Sequence, residues 1–285
     1  MRWRDMRRSE NVEDRRGMSM GGAGLKLGGG SLLLIVVLSL LTGTNPLDIL
    51  GGLVEEAPPP ASVDSGPQRK APQDDPQADF IRAILGDTED TWSRLFEQGG
   101  GTYEPPRLVL FTGAVQSACG QASSAVGPFY CPPDRRVYLD LQFFRELSER
   151  FGAPGDFARA YVVAHEIGHH VQNLTGISER VQRQRARMDQ TAANALSVRM
   201  ELQADCYAGV WGYYAARRNI LEPGDVEAAL AAATAIGDDR LQKQTRGHVV
   251  PESFTHGSSA QRVRWFKTGL EGGDVRRCDT FSGRP

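Results

Sequence analysis

The spacing of hydrophobic residues divides the chain into a basic N-terminal part, one uncharged apolar stretch, a proline-rich segment and a long patterned region. In the patterned region, apolar residues recur every three or four positions, as they do on the buried face of a helix. The predicted helices, besides one described below, cover residues 80–96, 143–151, 192–217, 226–236 and 259–270. Two runs of aliphatic and aromatic residues, at 107–111 and 136–141, predict short strands. We therefore predict an α+β, helix-rich domain with a small β-sheet over residues 79–281.

The apolar stretch, residues 27–44, predicts a membrane anchor. Its 18 uncharged residues are just long enough to cross about 30 Å of hydrocarbon as a helix. A cleaved secretory signal and a buried core helix are the alternatives. Residues 1–26 carry seven basic and four acidic side chains, and the positive-inside rule then predicts a basic cytoplasmic tail. The expected localisation is the cell membrane, single-pass, with the N-terminus cytoplasmic and the folded domain outside the cytoplasm.

Residues 45–78 predict a disordered linker between the anchor and the domain. They contain a Pro-Pro-Pro run at 58–60 and further prolines among Ser, Gln and Asp. Such a composition cannot bury enough apolar area to fold, so we expect an extended chain. The formal net charge of the whole chain is −2, which gives no indication of nucleic acid as a partner.

The four cysteines indicate an oxidising compartment. All lie outside the apolar stretch, and their even number fits two disulfides. Cys119 and Cys131 flank a Gly- and Ser-rich loop and are the first predicted pair; Cys206 and Cys278 follow by elimination. A free buried thiol at Cys206 is the alternative. A cysteine-based metal site is disfavoured because the chain has no C-x-x-C.

The strongest chemical signal is the H-E-x-x-H sequence at 165–169, in a segment with the apolar spacing of a helix. His165 and His169, four residues apart, project from one helical face and can bind one Zn²⁺ ion. Glu166 is then placed to accept a proton from water at the metal. The alternative is a surface helix that contains two histidines by chance. His170 points away from the other two and is predicted to be structural.

A third metal ligand is predicted on a second helix. Glu201 and Asp205 are four residues apart in an otherwise apolar stretch, and burying two carboxylates is costly unless they are paired or bind a metal. We predict Glu201 as the ligand, which leaves an open position for water, and Asp205 as the hydrogen-bond acceptor that orients one histidine. The alternative is that both carboxylates lie on a solvated face beside Arg199.

Two further features are candidates for substrate binding. His256, just before the last predicted helix, could donate a hydrogen bond to the developing oxyanion, or could belong to an ordinary helix-start turn. His248 lies in a polar loop and is expected to be incidental. The strand at 137–141 is the candidate sheet edge along which an extended peptide could pair.

Taken together, the motifs resemble a known family. The chain is similar to the bacterial neutral zinc metallopeptidases, a family of single-pass membrane proteins, over about residues 77–281, and its two metal-site helices resemble the thermolysin-like gluzincin arrangement. The motifs are A-C-G at 118–120, G-P-F-Y-C-P at 127–132, V-Y-L-D-L at 137–141, H-E-I-G-H-H at 165–170, E-L-Q-A-D-C-Y-A-G at 201–209 and T-H-G-S at 255–258. The resemblance implies a zincin-like fold and Zn²⁺ as cofactor, but it names no substrate.

Two functions are compatible with these features. The first is a membrane-anchored zinc peptidase that cleaves a peptide or protein substrate. The second is a non-hydrolytic envelope scaffold or regulator that keeps the fold. The intact Glu166 favours the peptidase, because binding alone needs no base beside the metal.

Overall fold

The computed structural model describes residues 1–17, 74–123 and 127–283. The strands are β1 (Val12–Asp14), β2 (Arg107–Phe111), β3 (Ala114–Ser117), β4 (Gly120–Ser123), β5 (Phe129–Cys131) and β6 (Arg136–Asp140). The helices are α1 (Pro76–Gln98), α2 (Gln142–Glu149), α3 (Asp156–Leu174), α4 (Ile177–Arg185), α5 (Gln190–Arg217), α6 (Asp225–Ala235), α7 (Asp238–Arg246) and α8 (Ser259–Gly272). Short 3₁₀ helices lie at Pro251–Ser253 and Val275–Cys278. The α+β class and the predicted helices and strands are confirmed.

One small sheet organises the domain. Its strand order is β1-β2-β6-β5, in which β1, β2 and β6 are parallel and β5 is antiparallel to β6. Because side chains alternate along a strand, Leu108 and Leu110 pack with the helices, while Val109 and Phe111 pack under the β3–β4 hairpin. Both faces of β2 are therefore buried, which explains its nearly continuous apolar sequence.

The predicted substrate edge at 137–141 is wrong. Strand β6 pairs with β2 on one side and with β5 on the other, so its backbone hydrogen-bonding groups are already used. The edge strands of the sheet are β1 and β5, each of three residues, and β5 is the edge beside β6. Its shortness and lack of apolar alternation explain why the sequence pattern did not reveal it.

The predicted basic tail, residues 1–26, is also wrong for its first sixteen residues, which are part of the folded domain. Strand β1 pairs with β2, and the Trp3 ring packs edge-on against Phe80 with centroids 5.4 Å apart. Three of the arginines in residues 1–16 form ion pairs with acidic residues that lie in α1 or just before it. These pairs are Arg7 with Glu89 and Asp90, Arg8 with Asp79, and Arg16 with Asp75.

This docking bears on the predicted membrane topology. Residues 27–44 and nearly all of the predicted linker lie outside the described residues, and no helix within the described part is long and apolar enough to span a membrane. A single crossing by 27–44 would put residues 1–16 and the domain on opposite sides. That arrangement is incompatible with the contacts of β1 and Trp3. The predicted linker also ends earlier than expected, because Asp75 caps α1 and Pro76 begins it.

Candidate metal centre

Helix α3 carries the H-E-x-x-H sequence and is largely buried. Phe157, Tyr161, Ala164 and Ile167 are in the core, and His165 is only 6% exposed. Gly155 is the N-cap, and Asp156 is the first helical residue, whose carboxylate accepts a hydrogen bond from Trp3 Nε1 at 2.9 Å.

Helix α5 lies unusually close to α3 at the metal site. A Cβ atom on Gly168 would be 2.9 Å from both the Cα and the backbone oxygen of Ala204, which is closer than packed atoms approach. Glycine at this position therefore permits the two backbones to cross. As a result, Glu201 of α5 lies beside the histidines of α3.

The three predicted ligands converge. Nε2 of His165 lies 3.2 Å from Oε2 of Glu201, and Nε2 of His169 lies 3.4 Å from Oε1 of the same carboxylate. Tetrahedral zinc with bonds of about 2.0–2.1 Å places neighbouring ligand atoms about 3.3 Å apart. Among the described residues, these three form the one cluster of His, Cys, Asp and Glu whose ligand atoms lie within 4.8 Å of one another. The donor set and its spacing fit Zn²⁺.

Hydrogen bonds orient both imidazoles toward this point. Nδ1 of His165 lies 2.8 Å from Oδ1 of Asp205, and Nδ1 of His169 lies 2.9 Å from Oε1 of Gln172. Because each of these oxygens is an acceptor, the Nδ1 atoms carry hydrogens. The Nε2 atoms then face Glu201, where they can share a proton with its carboxylate or bind a metal ion. The predicted position of Asp205 is confirmed. Gln172 was not anticipated, although it lies only three residues after His169 on the same helix.

Asp205 is held by a buried network that sequence reasoning missed. Arg262 of α8 donates from Nε to Oδ2 at 2.8 Å and from Nη2 to Oδ1 at 2.9 Å, and the Tyr161 hydroxyl donates to Oδ1 at 2.5 Å. Arg262 is only 2% exposed. One signal could have found it, because Arg262 lies four residues before Phe266 on the apolar face of α8. A charged residue on that face implies a buried partner.

The charges of the site are strongly shifted. Burial alone would raise the pKa of Asp205, but Arg262 and His165 lower it to about 2. Burial opposes a charge on His165 as well, yet Asp205 and Glu201 raise the pKa of His165 to about 10. The two histidines hold the pKa of Glu201 well below its usual range, against the effect of burial. The cluster therefore favours a bound cation, either a proton or a metal ion.

The metal cluster opens into a cleft of about 850 Å³. Glu166 lines this cleft, and burial raises the pKa of its carboxyl group. His256 lines the same cleft, with Nδ1 3.2 Å from Oδ1 of Asp238. The other oxygen of Asp238 accepts the backbone N–H groups of Thr255, His256 and Gly257, which fixes the loop. Hence the structure brings His256 to the cleft, while its predicted role with the oxyanion stays a prediction.

Both predicted disulfides are confirmed. Cys119, in the turn between β3 and β4, is joined to Cys131 at the end of β5. Cys206, the residue after Asp205, is joined to Cys278 in the C-terminal 3₁₀ helix. No cysteine is free, which excludes the alternative of a thiol at Cys206.

The fold and these side chains define a protein with a partly buried His-His-Glu cluster, built from an H-E-x-x-H helix and a second helix, that could hold a metal ion. The family described as "Putative neutral zinc metallopeptidase" matches residues 1–281, and the chain belongs to this family. The match begins at residue 1, well before residue 77 where the sequence resemblance was placed. It therefore includes the docked N-terminal segment.

The chain is also similar to two bacterial proteins. The chain is 49% identical over 287 residues to "Uncharacterized protein YpfJ" of Escherichia coli K12, an alignment that spans 99% of each chain. It is 52% identical over 191 residues to "Uncharacterized protein Mb2605" of Mycobacterium bovis, which corresponds to 63% of this chain and 64% of that protein. No solved structure matches the chain.

Proposed function

We propose that this protein is a zinc-dependent peptidase that uses an activated water to hydrolyse bonds in peptide or protein substrates. The observation that carries the proposal is the convergence of His165, His169 and Glu201 at an open cleft, with Glu166 beside them. Three protein ligands leave the fourth tetrahedral position open, as in catalytic zinc sites, whereas structural sites are closed by four protein ligands.

Glu166 is the residue proposed to move protons. A zinc ion held by the three ligands would polarise the substrate carbonyl and lower the pKa of water toward about 7. The Glu166 carboxylate accepts the proton of the attacking water and later delivers it to the leaving amine. Burial raises the pKa of Glu166, which makes its carboxylate a stronger base.

Two other elements of the cleft are proposed to bind the substrate. His256, whose Nδ1 lies beside Asp238, is proposed to donate to the developing oxyanion. Strand β5 is one of the two edges of the sheet, and its residues Phe129 and Tyr130 line the cleft. An extended peptide could pair with this edge through its backbone, which would bind many sequences with little dependence on side chains.

The test compares the zinc-loaded wild-type protein with Glu166→Gln, using casein and a peptide library as substrates. We expect the variant to keep its zinc and its melting temperature but to lose hydrolysis by several orders of magnitude. Glu146→Gln removes another carboxylate that lines the same cleft and should remain active. A zinc-loaded wild-type protein that cleaves nothing, or an active Glu166→Gln, would contradict the peptidase and favour a scaffold.

A further inference from the structure

His170 lies next to a metal ligand but contacts the edge strand instead of the metal. It is fully buried, with Nε2 2.7 Å from the backbone oxygen of Glu104 and Nδ1 3.0 Å from the hydroxyl of Tyr130. A carbonyl oxygen can only accept, so Nε2 carries the hydrogen. Nδ1 therefore accepts a hydrogen bond from the Tyr130 hydroxyl. This assignment makes His170 a neutral imidazole with both ring nitrogens used.

Asn173 completes the link one turn further along α3. Its Nδ2 donates to the same Tyr130 hydroxyl at 2.9 Å. The Tyr130 hydroxyl thus donates to His170 and accepts from Asn173. Two residues of the metal helix hold one side chain of β5, and the predicted structural role of His170 has a specific partner.

Strand β5 is a short edge strand. Like β1, it is three residues long and is paired on one side only, in this case by β6. The disulfide at Cys131 ties its end to the β3–β4 hairpin and not to α3. The Tyr130 hydroxyl makes two hydrogen bonds that join β5 to the metal helix, and Nδ2 of Asn173 also donates, at 3.4 Å, to the backbone oxygen of Pro132, the residue after β5.

We propose that His170 and Asn173 are positioning residues that, through the Tyr130 hydroxyl, set the distance between the substrate edge and the metal ligands. This inference rests on the proposed peptidase function. His169 and His170 are successive residues of one rigid helix, so one helical turn fixes both a metal ligand and the strand. A peptide paired with β5 then presents its carbonyl at a fixed place, and small errors in such placement are costly for catalysis.

The first test is Tyr130→Phe, which removes the hydroxyl and keeps the ring. Tyr138→Phe is the matched control, because its buried hydroxyl donates to Asp134 at 2.7 Å and lies outside the cleft. We expect Tyr130→Phe to raise KM for an extended probe, oxidised insulin B chain, about tenfold, as expected for loss of one or two hydrogen bonds. Zinc content should stay at the wild-type level, and kcat/KM for the short probe furylacryloyl-Gly-Leu-amide should fall less than kcat/KM for the insulin chain. The control should leave all three unchanged.

The second test separates the two hydrogen bonds of His170. In His170→Asn the amide oxygen can replace Nδ1 and accept from Tyr130, whereas in His170→Gln the amide nitrogen can replace Nε2 and donate to Glu104. A positioning role predicts a KM near wild type for His170→Asn and a raised KM for His170→Gln. A role in stability alone predicts that KM follows the loss of melting temperature, whichever hydrogen bond is lost.

Binding is measured as well as turnover. An error in this inference can then be distinguished from an error in the proposed peptidase function. Fluorescently labelled insulin B chain is titrated onto zinc-loaded protein that carries Glu166→Gln, alone and combined with Tyr130→Phe or Tyr138→Phe. A Kd raised about tenfold by Tyr130→Phe alone supports the inference even if the wild-type protein shows no turnover. Equal Kd and KM values for the Tyr130 and Tyr138 variants would overturn it, as would the absence of binding.

Discussion

Gly168 of α3 and Ala204 of α5 are in backbone contact, and a Cβ atom on Gly168 would lie 2.9 Å from the Cα of Ala204. The contact lies one residue before His169 and three residues after Glu201. It therefore sets the separation between the two helices that supply the metal ligands. A change of one methyl group at this point acts on the metal site without removing any ligand.

Gly168→Ala should push the helices apart, because the added methyl meets backbone on the facing helix. We expect a loss of about 1–3 kcal/mol in the free energy of unfolding, as for other overpacked sites, and weaker zinc binding. Urea unfolding and zinc competition with a chelator measure the two effects. Gly101→Ala is the control, because its added methyl would make ordinary contacts with Phe96 at 3.7 Å. Equal effects of the two substitutions would contradict the role of the contact between α3 and α5.

Asp205→Asn should be strongly destabilising because it leaves the buried Arg262 guanidinium without its counter-charge. Breaking such a pair costs about 3–5 kcal/mol, and losing the acceptor for His165 should weaken zinc binding about 10- to 100-fold. The double variant Asp205→Asn with Arg262→Met should be more stable than the sum of the single effects predicts. Additive losses in a double-mutant cycle would show that the two side chains are not coupled.

The alkaline limit of activity should depend on Asp238. The hydrogen bond that His256 donates to Asp238 raises the pKa of His256 above its ordinary value. Glu201 on α5 raises this pKa further, while burial and Arg262 on α8 oppose the increase. Nδ1 of His256 faces Asp238, so Nε2 can donate to an oxyanion only while the ring is protonated, and activity falls as pH rises through this pKa. Asp238→Asn lowers the pKa and should move the alkaline limb of kcat about one unit to lower pH. An unmoved limb would exclude His256 as the titrating donor.

Trp3→Ala should destabilise the whole domain, because Trp3 is a core residue that bonds to Asp156 of the metal helix. Replacing a buried tryptophan by alanine typically costs about 3–5 kcal/mol. The exposed neighbour Asp5 provides the control, since Asp5→Ala should change the unfolding free energy by less than about 0.5 kcal/mol. Similar effects of the two substitutions would mean that the N-terminal segment does not dock.

Docking also requires that residues 1–16 and the domain share one compartment. Cysteines introduced at the exposed positions Asp5 and Ser282, one at a time, should react alike with a membrane-impermeant maleimide in intact cells. Labelling of one position and protection of the other would instead support the single membrane crossing expected from the sequence.

The metal centre could be predicted from the sequence because its signals are local. His165 and His169 lie one helical turn apart, and so do Glu201 and Asp205, so the helical repeat alone places each pair on one face. The buried carboxylates required a cation, which correctly connected the two helices. By contrast, Arg262 is held by a contact across 57 residues, and no local pattern encodes that distance.

The N-terminal segment shows the opposite case. Its arginines suggested a cytoplasmic flank, because a sequence shows which residues are charged but not which residues they form ion pairs with. In the structure Arg7, Arg8 and Arg16 form ion pairs with acidic residues about 60 to 80 positions away. The edge strand β5 was missed because three residues cannot display a period-two pattern.

The zinc content of purified variants tests the central claim most directly. We expect about one zinc per chain in the wild type, none in His165→Ala or His169→Ala, and clearly weakened binding in Glu201→Ala. Asp238→Ala, which removes a carboxylate near the cleft that is not part of the cluster, should keep its zinc. If Glu201→Ala bound zinc as tightly as the wild type while Asp238→Ala lost it, the proposed His-His-Glu centre would be wrong.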